Sequence, residues 1–290
     1  MMKTAKAFAP GNISCIFSIV KNKDPLKSGS MGVGFTVNEG VLVSIKKINN
    51  KKNKIIFNKN KIKFNNKIIN FSTINSVIKK LTKNNVEVNI SSKLPLGCGF
   101  GISGASSLAT AYALNRLFNI KKSKIELAKI AHVSEVENGT GLGDVANQHY
   151  GGFLVKFRPS YSFKVKKLRI DNKKIYYKIL GRLDTKKIIS NKKIESRIDE
   201  SCLVSLKKIK KLIDDKKTNK KDLLKNIIKI SKEFSTNSGL INKNLLKLIK
   251  NIEKNKGNAT MIMLGNALFS DKYFKGSKKL VIKDKGAYLL

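Results

Sequence analysis

The chain has 290 residues, 41% of them hydrophobic, with 60 Lys and Arg against 19 Asp and Glu, a formal charge of +41. That length suits one large domain or two ordinary ones, and the hydrophobic share excludes a disordered chain. No apolar run approaches the ~20 residues a membrane helix needs, which excludes an integral helical membrane protein. Cys15, Cys98 and Cys202 are far apart, and His132 and His149 are the only histidines, so neither a disulfide framework nor a Cys/His zinc site is expected. Reduced thiols of this kind fit a cytoplasmic location.

The charge itself has two readings. One is a nucleic-acid or other polyanion binder. The other is compositional drift, since Lys, Asn and Ile share AT-rich codons and all three are abundant throughout. The lysines form no single stripe, and no RNP-like motif or zinc finger accompanies them, so we favour drift. A positive field would still attract anionic metabolites.

From the N-terminus, MMKTAKAFAPGNISCIFSIV has early lysines, but Pro10, Gly11 and Asn12 interrupt any signal-peptide core, and a first strand and loop are expected. VGFTVNEGVLVSI, residues 33–45, reads as two strands about a turn at Asn38-Glu39-Gly40. Between Lys52 and Phe71, short apolar pieces (Ile55 to Phe57, Ile62 and Phe64, Ile68 and Ile69) suggest a meander. A helix over 74–83 would face Val77, Ile78 and Leu81 inward, and Val86 to Ile90 alternates as a strand. A glycine-rich loop follows, then a helix over 105–118. Ser123 and Glu126 form a capping-box pattern opening a second helix, which runs into ENGTGLGD. GFLVKFR, residues 152–158, reads as a strand. Beyond a soft boundary near residue 160, strands over 165–180 lead into Lys-rich helices over 186–255, and strands return at 260–269 and 279–290. The division expected is 1–160 and 161–290.

LPLGCGFGISGAS is the feature with chemistry in it. A strand, a glycine loop and a helix N-terminus together make an anion site, because unpaired helix N–H groups point at backbone that a phosphate can approach. One glycine would suffice for a tight turn, so Gly97, Gly99, Gly101 and Gly104 together favour phosphate binding. Gly99 to Gly104 also matches G-x-G-x-x-G, but a second capped helix follows instead of the strand that a dinucleotide fold requires. A Walker A loop fails for lack of Gly-Lys-Ser/Thr.

The stretch Pro95 to Ala105 resembles the phosphate loop of the GHMP small-molecule kinases. Ala9-Pro10-Gly11 resembles their opening A-P-G, and Thr140-Gly-Leu-Gly-Asp144 with Gly151-Gly152 resembles their S-G-x-D…G-G segment. KAFAPGNIS, SMGVGFTVNEGV, AHVSEVENGTGLGDVANQHYGG and MIMLGNALF narrow the likeness to the archaeal branch that phosphorylates pantoate. The resemblance covers the N-terminus to about residue 160 and resumes near residue 261.

It implies a two-domain α+β fold with mixed sheets, and transfer of a phosphoryl group from ATP to (R)-pantoate with Mg²⁺, an early step toward coenzyme A. Alternatives are another GHMP substrate (mevalonate or homoserine) or a basic nucleic-acid binder. By the same resemblance Pro95, Gly97, Gly99, Gly101, Ser103, Gly104 and Ala105 hold ATP, and Asp144 faces the acceptor hydroxyl as candidate base. Ser103 and Glu135 are the Mg²⁺ candidates, with Glu137 a competitor and Ile102 in place of the loop's first serine. Asn12 stands where mevalonate kinase has lysine, so no cationic role carries over there. Arg158 is the candidate for the substrate carboxylate, His132 reads as a structural helix histidine, and Gly265-Asn266 matches the C-terminal glycine segment near the site. A homodimer is expected from the family, and no membrane partner.

Overall fold

The computed structural model describes residues 3–48, 60–183, 191–215, 219 and 222–290. The first half runs β1 (Thr4–Phe17), β2 (Gly32–Lys47), β3 (Lys61–Phe64), β4 (Lys67–Ile68), α1 (Ser72–Leu81), β5 (Val86–Ser92) and α2 (Ile102–Leu117). Then come α3 (Lys124–Glu137), α4 (Asp144–Tyr150), β6 (Phe153–Lys156), β7 (Lys166–Leu168) and β8 (Lys174–Gly181). The chain continues with α5 (Lys192–Asp214), α6 (Leu223–Asn237), α7 (Lys243–Lys254), β9 (Ala259–Met261), β10 (Asn266–Ser270), β11 (Lys278–Val281) and β12 (Tyr288–Leu289). Two mixed layers of sheet and helix result, the α+β architecture expected.

The first sheet has the order β12-β1-β2-β5-β3-β4, with β6 and β7 branching from β2; the second is β11-β8-β10-β9. β12 covers the outer edge of β1 only at Ala7 and Phe8. Beyond that point, among the described residues, the edge has no strand partner, which is where Pro10, lacking an N–H, is tolerated. The glycine-rich loop and the β9–β10 turn dock there instead: Asn12 N donates to the Phe100 carbonyl at 2.9 Å, and Met263 N donates to the Ser14 carbonyl at 3.2 Å. The A-P-G of the opening strand thus marks the place where loop and second sheet meet the first.

α2 is buried along nearly its whole length, with small residues such as Ala105, Ala109, Ala111 and Ala113 letting it lie close on the first sheet. A helix apolar on all sides belongs inside a fold. The Ser123/Glu126 capping box is present and opens α3. Aromatic contacts bind the two halves together. Phe35 of β2 stacks on Phe153 of β6 at 5.1 Å and meets Phe269 of β10 edge-on at 5.4 Å, while Phe100 meets Tyr177 of β8 edge-on at 5.2 Å.

Some expectations change. No hairpin turn interrupts residues 33–45: β2 continues through Asn38-Glu39-Gly40 as one strand, but bulges there, Thr36 facing Asn12 and Gly40 facing Pro10. Gly40 serves strand packing: a Cβ there would lie 2.2 Å from the Ala9 carbonyl oxygen. β3 pairs in parallel with β5, so the region is not a simple meander, and the piece Ile55 to Phe57 lies outside the described residues. So do 186–190 and parts of 216–221 within the Lys-rich stretch, whose described remainder is α5, α6 and α7. The first sheet also crosses the boundary drawn near residue 160, since β7 pairs with β6 and β12 returns to β1.

Candidate active site

Gly101 caps α2 in the left-handed region (φ 60°), and no side chain caps the helix. Ala105 N donates to the Gly101 carbonyl at 3.0 Å, making it the first intrahelical donor. The N–H groups of Ile102, Ser103 and Gly104 are therefore the orphan donors of the helix start, aimed at the loop with the positive end of its dipole. A cleft of about 350 Å³ opens in front of them. Gly97, Gly99, Gly101 and Ser103 line it from one side, and Gly139 through Asp144 line it from the other. Gly104 and Ala105 stand behind in the first helical turn, buried, and Pro95 is not among the lining residues.

α4 lies directly across this loop. A Cβ on Gly101 would come within 3.0 Å of Asp144 Cγ, so the loop and the carboxylate are in near contact. Gln148 Nε2, one turn further along, donates to the Gly101 carbonyl at 2.7 Å and holds the loop to α4. Asp144 itself accepts from Asn12 Nδ2 at 2.6 Å. Burial raises its carboxyl above the ordinary carboxylate range, while the Lys156 charge and the hydrogen bonds from Asn12 and Ser14 pull it back down.

Lys156 is the residue that the sequence reading passed over. It ends β6, is only 4% exposed, and donates Nζ to the Gly143 carbonyl at 2.9 Å. Gly143 makes room for it, because a Cβ there would sit 2.8 Å from Lys156 Nζ. Burial lowers the lysine to about 8, against the raising influence of Asp144. Arg158, expected to bind substrate, is exposed and absent from the cleft lining. β6 stops at Lys156, and Arg158 follows on the stretch that leaves the sheet toward Pro159. The buried cation of this segment is Lys156.

Glu135 lies in α3 at 2% exposure, and its contacts are hydroxyls. Ser103 Oγ and Ser107 Oγ donate to Oε1 at 2.8 and 2.9 Å, and Thr140 Oγ1 donates to Oε2 at 3.0 Å. With these neutral donors against its burial, the carboxyl is pushed up to about 7. A buried carboxylate beside a serine hydroxyl supplies hard oxygen donors, and such a pair fits Mg²⁺. Among the described residues no group of three or more His, Cys, Asp or Glu surrounds a point, so phosphate oxygens and water would complete the coordination. Glu137 points the other way, exposed, receiving Ser76 Oγ at 3.1 Å and Lys80 Nζ at 2.9 Å. His132 is buried with Nε2 donating to the Ser28 carbonyl at 2.9 Å, and burial lowers its pKa. Met263 and Leu264 line the cleft immediately before Gly265-Asn266, which places that segment at the site.

Comparison with known proteins follows from this geometry. Residues 67–152 match the family model of the GHMP kinases N terminal domain. The chain is 37% identical over 191 residues to pantoate kinase of Methanocaldococcus jannaschii, covering 63% of this chain and 65% of that protein. It is 34% identical over 185 residues to pantoate kinase of Methanospirillum hungatei, covering 64% and 63%. The chain thus spans just under two thirds of the length of these curated relatives. A solved structure described as a phosphotransferase related to the CoA biosynthesis pathway superimposes with a TM-score of 0.81 at 24% identity, over 99% of this chain and 98% of that one. Homoserine kinase from Cytophaga hutchinsonii gives 0.66 at 17% identity, over 100% and 98%. Among the described residues no helix is long and apolar enough to cross a membrane.

Proposed function

We propose that this chain, which belongs to the GHMP kinase superfamily, transfers the γ-phosphoryl group of ATP to the primary hydroxyl of (R)-pantoate, giving 4-phosphopantoate and ADP. One observation carries the reaction type: a half-buried carboxylate, Asp144, stands against an uncapped helix N-terminus in a single cleft. The choice of pantoate is supported by likeness to the two archaeal pantoate kinases.

The triphosphate lies along Gly97 to Ser103, its charge met by the orphan N–H groups of α2. Ser103 Oγ and Glu135 would hold Mg²⁺, which would supply neutralisation of charge on the phosphates. Asp144 accepts the proton of the acceptor hydroxyl as that oxygen forms its bond to the γ-phosphorus. The bond from that phosphorus to the ADP oxygen breaks, and the electron pair leaves with ADP. Lys156 favours the ionised form of Asp144 from behind the cleft wall, where it holds the Gly143 carbonyl. The same proposal includes a cytoplasmic location, matching the buried free thiols, and a homodimer.

The test is ADP release from Mg-ATP in the presence of pantoate, mevalonate, homoserine or no acceptor. Pantoate-dependent turnover is expected. Turnover with a different acceptor alone would reassign the substrate, and salt-sensitive RNA binding without turnover would favour the nucleic-acid reading. Asp144→Asn should cut kcat by about 10²–10⁴-fold, the usual worth of a positioned acid or base, with ATP affinity nearly unchanged. An unaltered kcat would remove Asp144 from the chemistry.

A further inference from the structure

We infer that Asn147 is a positioning residue for this reaction: it fixes the amide of Asn12 so that an N–H, and not a carbonyl oxygen, faces Asp144. The inference rests on the kinase reading for its catalytic consequence, but the hydrogen-bond chain stands by itself. Asn12 sits in β1 just past a register shift, fully buried, and Asn147 lies one turn beyond Asp144 on α4 at 1% exposure. Asn147 Nδ2 donates to Asn12 Oδ1 at 2.9 Å, and Asn12 Nδ2 donates to Asp144 Oδ1 at 2.6 Å.

The direction of this chain is forced. An ionised carboxylate only accepts, so Asn12 must present its NH₂ group to it. The amide oxygen then points the other way, into a site where Asn12 is fully buried, and it needs a donor. Asn147 supplies that donor. Turning the Asn12 amide over would set its oxygen against Asp144 Oδ1 at the same short distance.

Two further observations separate this role from plain packing. Asn147 Oδ1 is buried without a hydrogen-bond partner, so only the donor half of the side chain is used. Space for the amide is also kept open by Gly34, where a Cβ would lie 2.8 Å from Asn147 Nδ2. With Oδ1 of Asp144 occupied by Asn12, Oδ2 is the oxygen nearer Gly141 on the cleft wall and is left to take the proton.

Asn147→Asp decides the matter, because it is nearly isosteric and replaces the donor by an acceptor. We expect kcat to fall at least about tenfold while KM for ATP changes less than about twofold, the signature of an interaction used at the chemical step. In Asn12→Ala the same substitution should add almost nothing, because Asn147 acts only through Asn12. A second readout needs no turnover. In the free full-length protein the Asn12 side-chain NH₂ resonances should be protected from solvent exchange, and Asn147→Asp should abolish that protection. Unchanged protection, or additive losses in the double variant, would overturn the inference. If the wild-type protein phosphorylates nothing, the kinase reading fails and the NMR measurement still decides this one. Should Asn147→Asp not fold, Asn147→Ser removes the donor by shortening the side chain and is expected to act in the same direction.

Discussion

At Asp144 and Lys156 burial and charge work against each other. Burial raises the carboxyl and lowers the ammonium, so each favours its neutral form, while each charge favours the ionised form of the other. A lysine lowered to about 8 loses its proton as pH rises through that value, so wild-type turnover should decline on the alkaline side from about pH 8. Lys156→Arg, whose guanidinium stays charged, should carry the plateau to higher pH, whereas Lys156→Met should move the acid limb upward because Asp144 loses its charged neighbour. A kcat/KM profile against pH checks both; profiles that coincide with wild type would leave Lys156 no part in the chemistry. Asp144, Ser103 and Glu135 can be singled out as candidates from the sequence through the motifs they resemble, and the fold brings them to one place. Lys156 is not singled out, being one of 60 basic residues. The available signal was its place in a four-residue strand buried throughout, where a charge has to meet a partner.

At the scale of elements, the features written locally were the readable ones. The capping box of α3, the strand before the glycine loop and the helix after it all follow from short-range chemistry. The continuation of β2 as one bulged strand does not. Asn-Glu-Gly is a good turn sequence, and it was overridden by the close crossing of Gly40 against β1, a long-range contact that no local pattern carries. The β9–β10 turn is a second case. A Cβ on Gly265 would lie 2.3 Å from the Cys98 carbonyl oxygen and 2.5 Å from its carbon, so the turn and the phosphate loop touch backbone to backbone. Gly265→Ala should push the loop off the helix axis and weaken ATP binding about tenfold, roughly 1.4 kcal/mol. Calorimetric titration of the variant with ATP checks this, and wild-type affinity would mean the loop tolerates the displacement.

Across the whole molecule, the charge of +41 falls mainly on exposed lysines outside the candidate site. Ion pairs such as Lys208–Glu233 and Lys166–Asp214 are half exposed and contribute little. The excess positive charge repels itself over distances that salt shortens to about 10 Å at 0.1 M. Raising KCl from low to moderate concentration should therefore raise the melting temperature, and a fall in a thermal scan would mean that the ion pairs outweigh the repulsion. The contact between Phe100 and Tyr177 has a consequence of another kind. The chain holds no tryptophan and seven tyrosines, so tyrosine dominates its ultraviolet emission. Tyr177 stands edge-on to the phosphate loop from the opposite sheet. Its light is not lost to an indole acceptor, and the protein carries beside its glycine-loop cleft an optical reporter of its own.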